Sequence, residues 1–156
     1  MTEKPPDHAN VIAPPPLIYA GALVLGFFAQ WAYPIDFLPR KLARAIGLLL
    51  VGLNFLIGFS AFKAMRRAHT SVRPDTPTTA LVTTGPFRYT RNPIYLSFTV
   101  FYAGISLIAN VLWPFLLLPI VLIAMNLGVI AREEQYLQQK FGQEYIQYMA
   151  CVRRWF

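Results

Sequence analysis

Residues 94–131 read IYLSFTVFYAGISLIANVLWPFLLLPIVLIAMNLGVIA, thirty-eight residues without one charge. A single helix of that length rises roughly 57 Å, about twice a hydrocarbon core of ~30 Å. Asn110 and Pro114 interrupt the run near its middle. It therefore reads as a tight hairpin of two membrane-crossing helices, about 94–109 and 112–131. Two further apolar runs lie upstream. Residues 17–33 carry no charge and end at Pro34, with Trp31 and Tyr33 where an interfacial aromatic belt belongs. Residues 43–64 are again long enough to span, and Gly47, Gly52 and Gly58 suit close helix contacts. The expected fold is an all-α integral membrane domain over 17–156. It has four transmembrane helices and a C-terminal amphipathic helix on the cytoplasmic side.

Composition agrees with lipid as the main solvent. The chain is 56% hydrophobic and 13% charged, against about 25% charged in a typical soluble domain. Its net charge of +7 does not point to nucleic acid, because the basic residues flank apolar runs. With four spans, eleven Lys and Arg fall on the side of both termini and three on the other. That bias places both termini in the cytoplasm of a cell whose membrane is expected to be a bacterial inner membrane. Residues 1–16 are polar and proline-rich, and read as a disordered or surface-lying arm. They lack a basic n-region leading into a short apolar core, so no cleaved signal peptide is expected. The lone Cys151 and the lone His69 suggest no metal site.

Two polar clusters remain, TTGPFRYTRNPIYLS at 83–97 and REEQYLQQKFGQEYIQY at 132–148. Each sits where a spanning helix meets polar chain, and the hairpin brings them to the same membrane face. Arg88 and Arg91 can hold carboxylates through their planar forks. Glu133 and Glu134 can receive an ammonium or ribose hydroxyls, or lie beside a sulfonium. Tyr89, Tyr95, Phe141 and Tyr145 can pack against an adenine or a cation. On a helical wheel continued through 132–148, Glu133, Leu137, Phe141, Tyr145 and Tyr148 share one face. Asn126, seven residues before Glu133, falls on the face of that acid and is expected to line the pocket or to bond a group that does. These residue types suit S-adenosylmethionine, but Arg–Glu pairs closing a helix bundle would present the same pattern.

The cluster from Gly85, GPFRYTRNPIYL, resembles the G-P-[YF]-R-Y-x-R-[HN]-P-x-Y signature of the isoprenylcysteine carboxyl methyltransferase-like proteins, whose core is similar to that of phospholipid methyltransferases. The second cluster, EExxLxxxFGxEYxxY from Glu133, resembles the paired acids and aromatic helix of that family, one hairpin downstream. The likeness covers about 70–156, with the cofactor-binding core at about 83–156. It implies an S-adenosylmethionine-dependent membrane methyltransferase with S-adenosylhomocysteine as product. By position it implies cofactor roles for Arg91, Asn92, Pro93, Tyr95, Leu96, Glu133 and Glu134. Asn92 stands where eukaryotic members have histidine, and Ser97 where glycine is common.

Methyl transfer is an in-line displacement, so positioning and exclusion of water are expected to supply much of the rate. Arg88 or Arg91 is expected to orient an anionic group. An amine or thiol acceptor needs deprotonation, for which Glu133 or Glu134 is available; a carboxylate needs none. The expected acceptor is a lipophilic small molecule arriving from the bilayer. Two rival classes fit parts of the sequence: a small four-helix transporter, and an NADPH-dependent membrane reductase with a related core. A transporter would carry ionisable residues near the midplane, where the first three runs have none. No strand–GxGxxG–helix unit suggests a soluble nucleotide-binding domain. Oligomerisation is permitted by the glycines but not required.

Overall fold

A computed structural model describes residues 8–35, 38–73 and 76–155. Its regular elements are helical: α1 Pro15–Ala32, α2 Arg40–Arg67, a 3-10 turn Gly85–Arg88, α3 Pro93–Ala109, α4 Trp113–Met125, a π-helical segment Asn126–Ile130, α5 Ala131–Phe141 and α6 Gln143–Cys151. Prolines open α1, α3 and α4. Their fixed φ suits a first helical turn, and the missing N–H there has no intrahelical partner to lose. The helices α1, α2 and Trp113–Phe141 are long and apolar enough to cross a membrane, while α3 has 17 residues.

The packing is inverted relative to a soluble protein. The buried positions of α1 are Pro15, Tyr19, Ala22 and Gly26, and those of α2 are Ala43, Gly47, Ala61 and Ala64. The large apolar side chains Leu25, Phe28, Leu49, Phe55, Leu56 and Phe59 point outward. Lipid tails solvate such groups as well as a core would, so helix association is left to close packing of small residues. α2 lies along α3 and α1 along α4. At the α2–α3 contact the backbones nearly touch: a Cβ on Gly47 would lie 2.7 Å from the Gly104 carbonyl oxygen and 2.7 Å from the Ile108 nitrogen. Gly52, by contrast, has nothing within 4 Å of such a Cβ.

The hairpin turn closes at Asn110. This residue caps α3 in the left-handed region, at φ 57° and ψ 45°, a conformation asparagine tolerates better than most residues. Its side chain accepts from Leu38 N at 3.1 Å and donates to Leu38 O at 3.0 Å. The turn is thereby fastened to the α1–α2 connection.

The last helix departs from expectation in two ways. It does not stop near 131 but continues as one 29-residue helix to Phe141, roughly 44 Å long, so its final turns project beyond a ~30 Å core. The π segment absorbs one residue within it. Glycine then ends it: Gly142 adopts φ 54° and ψ −124°, a region costly for any residue with a Cβ. The single amphipathic helix expected over 132–148 is therefore two helices, and the wheel that grouped Phe141 with Tyr145 does not continue across the break. The described part of the N-terminal arm runs alongside, with Ile12 N donating to the Gly128 carbonyl at 3.2 Å.

Gly47→Val forces its side chain into the backbone of α3, and overpacking of this kind costs about 1–3 kcal/mol or more. Its thermal unfolding midpoint in detergent should fall clearly below wild type. Gly52→Ala should leave the midpoint unchanged or raise it slightly, because it adds helix propensity in open space.

Candidate active site

The 3-10 turn and the start of α3 form the first wall. Gly85 takes φ 62° and opens the 3-10 turn beside α2, where an added Cβ would lie 3.5 Å from Ala64 Cβ. Phe87 is buried there beside Ala61, Ala64 and Val82. The following residues then pair with the C-terminal tail. Arg91 N donates to Arg153 O at 3.0 Å. Thr90 Oγ1 and Asn92 Nδ2 both donate to Arg154 O, at 3.1 and 3.0 Å. Asn92 therefore spends its side chain on the tail rather than on capping α3, whose N-cap lacks a side-chain bond.

α5 forms the second wall, and the two acids divide their work. Glu134 receives two guanidinium groups. Arg91 lies 3.1 Å from its Oε1, and both groups are 13% exposed. Arg154 grips it from the other side, with Nε at 3.2 Å from Oε1 and Nη2 on Oε2. Glu133 has no cation at salt-bridge distance among the described residues; its Oε1 accepts from the Tyr95 hydroxyl at 2.5 Å. A half-buried carboxylate held by two arginines fixes the geometry, because removing any one partner strands charge in a low-dielectric place.

α6 and residues 70–73 and 78–82 complete the enclosure. Tyr148 donates to Phe87 O at 2.7 Å. Burial pushes its phenol up to about 12, with Arg91 pulling the other way. Burial first, and Glu134 second, also raise the Tyr145 phenol. Both rings remain neutral donors at physiological pH. The hydrogen bond to Glu134 holds the Arg154 guanidinium above its ordinary value, against the effect of burial. Tyr136 receives Thr78 N at 3.1 Å, pinning the loop to α5.

Between these walls lies a narrow cleft with a cavity volume of about 120 Å³, open to the surroundings. Its polar lining includes Arg91, Asn92, Tyr95, Glu133, Glu134 and Tyr145. Pro93 also lines it. The Nε of Arg91 is buried and has no hydrogen-bond partner. Such an atom calls for an explanation, and an anionic group reaching Arg91 would supply one.

The other residues expected here lie elsewhere. Arg88, Tyr89, Leu96 and Phe141 are not among the lining residues. Arg88 and Tyr89 point outward, Tyr89 with 79% exposure. Asn126 lines no part of the cleft; it accepts from Trp155 Nε1 at 3.1 Å and donates to Leu122 O at 2.9 Å. The expectation placed it on the face of Glu133. Seven residues that include a π turn advance like about six, roughly 600° of rotation instead of 700°. The reading of the sequence missed Arg154 and Tyr136, and named Tyr148 only as sharing the face of Glu133. The signal for Arg154 was present: two acids side by side, only one basic tail near enough in sequence to balance them.

A bundle of long apolar helices with a polar, arginine-and-glutamate cleft at one end is the architecture of an integral membrane protein. The model of the phospholipid methyltransferase family matches residues 42–144. The chain belongs to that family, a family of membrane methyltransferases, so the reading of an enzyme rests on more than the short motif. It is also similar to an uncharacterized protein of Haemophilus influenzae, with 53% identity over 36 residues, 23% of this chain and 57% of that protein. The chain thus spans somewhat over half the length of that relative.

Glu134→Gln leaves Arg91 and Arg154 facing each other without their shared counter-charge. A double-mutant cycle of Glu134→Gln with Arg154→Met, read as unfolding free energy in detergent, should give a coupling of about 1–3 kcal/mol. A coupling within error of zero would mean that the pair contributes nothing to holding the tail.

Proposed function

We propose that the cleft binds S-adenosylmethionine and that the protein transfers its methyl group to a lipophilic acceptor. The observation that carries this reading is Arg91, with a buried unpartnered Nε on the wall that also bears Tyr95, across from Glu133 on the other. A zwitterionic amino-acid head needs an anion site and a carboxylate close together, and this wall pair offers both. Phe87, Leu137, Tyr145 and Tyr148 offer apolar surface for an adenine. Asn92 and Pro93 hold the turn that presents Arg91. Arg88, Tyr89, Leu96 and Phe141 have weaker support, since they lie outside the cleft.

When bound, the cofactor supplies an electrophilic methyl group on a sulfonium. The chain's own contribution is to orient, to exclude water and to manage one proton. Arg91 orients an anionic group by a charge-assisted bond. Glu133, bonded to Tyr95 and free of cations, is the group available to take a proton from an amine or thiol acceptor; a carboxylate acceptor would leave it idle. Glu134, neutralised by two arginines, is poorly suited to that task and acts as the tie between walls. The family match supports methyl transfer over the transporter and reductase readings.

In this reading α3 is the fourth crossing, slightly short for the bilayer and accommodated by local thinning of the surrounding lipid. The excess of Lys and Arg on the side of both termini supports a cytoplasmic site at an inner membrane.

Titration calorimetry on the purified protein should detect S-adenosylmethionine and S-adenosylhomocysteine, and not NADPH. Arg91→Ala should weaken both by about 10- to 100-fold, the loss of a hydrogen bond to a charged group of about 1.5–3 kcal/mol. Binding of NADPH alone, or an affinity untouched by Arg91→Ala, would overturn the assignment.

A further inference from the structure

A second cavity, about 510 Å³, opens between the N-terminal strap and the first turns of α3. It shares Ala9, Val72, Arg73, Ile94 and Tyr95 with the cleft already described. The two are therefore neighbours, with Tyr95 in the partition. Its walls are otherwise mostly apolar, among them Val11, Ile12 and Phe98. It lies where α1 and α3 both begin, at Pro15 and Pro93, hence at the level where hydrocarbon gives way to water.

The strap that walls it is built in. Ile12 packs into the π segment of the last helix, where a Cβ on Gly128 would lie 2.2 Å from Ile12 Cδ1. Ile12 N donates to Gly128 O at 3.2 Å, and Arg132 Nη1 donates to Asn10 O at 2.6 Å. The strap also brings a polar atom without a partner. Among the described residues, two buried side-chain nitrogens lack a hydrogen bond: Arg91 Nε and His8 Nδ1. The first belongs to the cofactor cleft and the second lines this cavity. Buried polar atoms are nearly always satisfied, so each marks a place for a ligand group.

We propose that this second cavity is the acceptor chamber, holding the apolar body of a neutral amphiphile whose hydrogen-bonding group meets His8 and whose reacting end reaches Tyr95. This rests on the methyltransferase reading above. The chamber keeps a lipid-soluble molecule beside the partition while the strap separates it from water. The strap's seat on Gly128 couples its position to the same helix that carries Glu133.

Two photoreactive probes test this in the full-length protein in lipid nanodiscs: a medium-chain primary alcohol with a diazirine on its chain, and the same hydrocarbon without the hydroxyl. Mass spectrometry of cross-linked peptides should find segments 8–16 and 94–98 labelled at least threefold more by the alcohol than by the hydrocarbon. His8→Leu should bring the two probes level. Ile12→Ala, which loosens the strap without crowding the helix, should reduce the excess at least twofold. S-adenosylmethionine affinity by calorimetry should stay within twofold in both variants. Equal labelling by the two probes, or label confined to the outward faces of α1 and α2, overturns the chamber. Absence of S-adenosylmethionine binding with the labelling pattern intact would instead overturn the enzymatic reading and leave an amphiphile site standing.

Discussion

Glu134 between Arg91 and Arg154 is the constraint on which the site depends. The three residues come from three places: the turn before α3, the end of the last membrane helix, and the C-terminal tail. No backbone ladder joins these segments over any length. A carboxylate that is mostly withdrawn from water needs compensating charge, and two guanidinium groups aimed at one carboxylate fix direction as well as distance. Once they are set, the bonds from Arg91 N, Thr90 Oγ1 and Asn92 Nδ2 to the carbonyls of residues 153 and 154 follow in register. Trp155 then reaches Asn126 and fastens the tail to the membrane helix.

That arrangement leaves Glu133 in a different state from its neighbour. One acid is consumed by structure and the other is left with a phenol. Adjacent residues on a helix point about 100° apart, so α5 can turn Glu134 toward the tail and Glu133 toward α3 in the same turn. Two acids in sequence are thus a way to make a structural tie and a chemical group from a single turn of helix. Tyr95 supplies the bond to Glu133 from across the cleft, in the first turn of α3.

Much of this was legible in the sequence, because membrane helices are announced by local composition. The uncharged run at 94–131 and the polar stop at Asn110 give the hairpin, and the hairpin alone brings Arg91 to the side of Glu133 and Glu134. What was not legible depends on interactions between distant segments. The tail at 152–155 has no pattern of its own; its order comes from Glu134 and the 90–92 turn. Gly142 is a common enough residue, and only its backbone angles reveal that it ends a helix and separates Phe141 from Tyr145. Arg88 ends the 3-10 turn and Tyr89 caps it, and successive side chains there diverge by about 120°, so sharing a motif with Arg91 did not mean sharing its direction.

The π segment shows why a wheel drawn from sequence fails just where function begins. A straight α-helix from Trp113 would bring Asn126 and Glu133 to nearly one face. Five residues wound as a π turn absorb one position and rotate everything beyond it by about 100°. The acids owe their facing to that rotation: with it, Glu133 meets Tyr95 and Glu134 meets the arginines, while Asn126 is turned to the tail. The same widened turn contains Gly128, whose carbonyl and missing side chain receive the strap at Ile12. A regular helix here would present other residues both to the cleft and to the strap. The irregularity is therefore the element that sets the phase of the acid-bearing end of the helix against its membrane-crossing part.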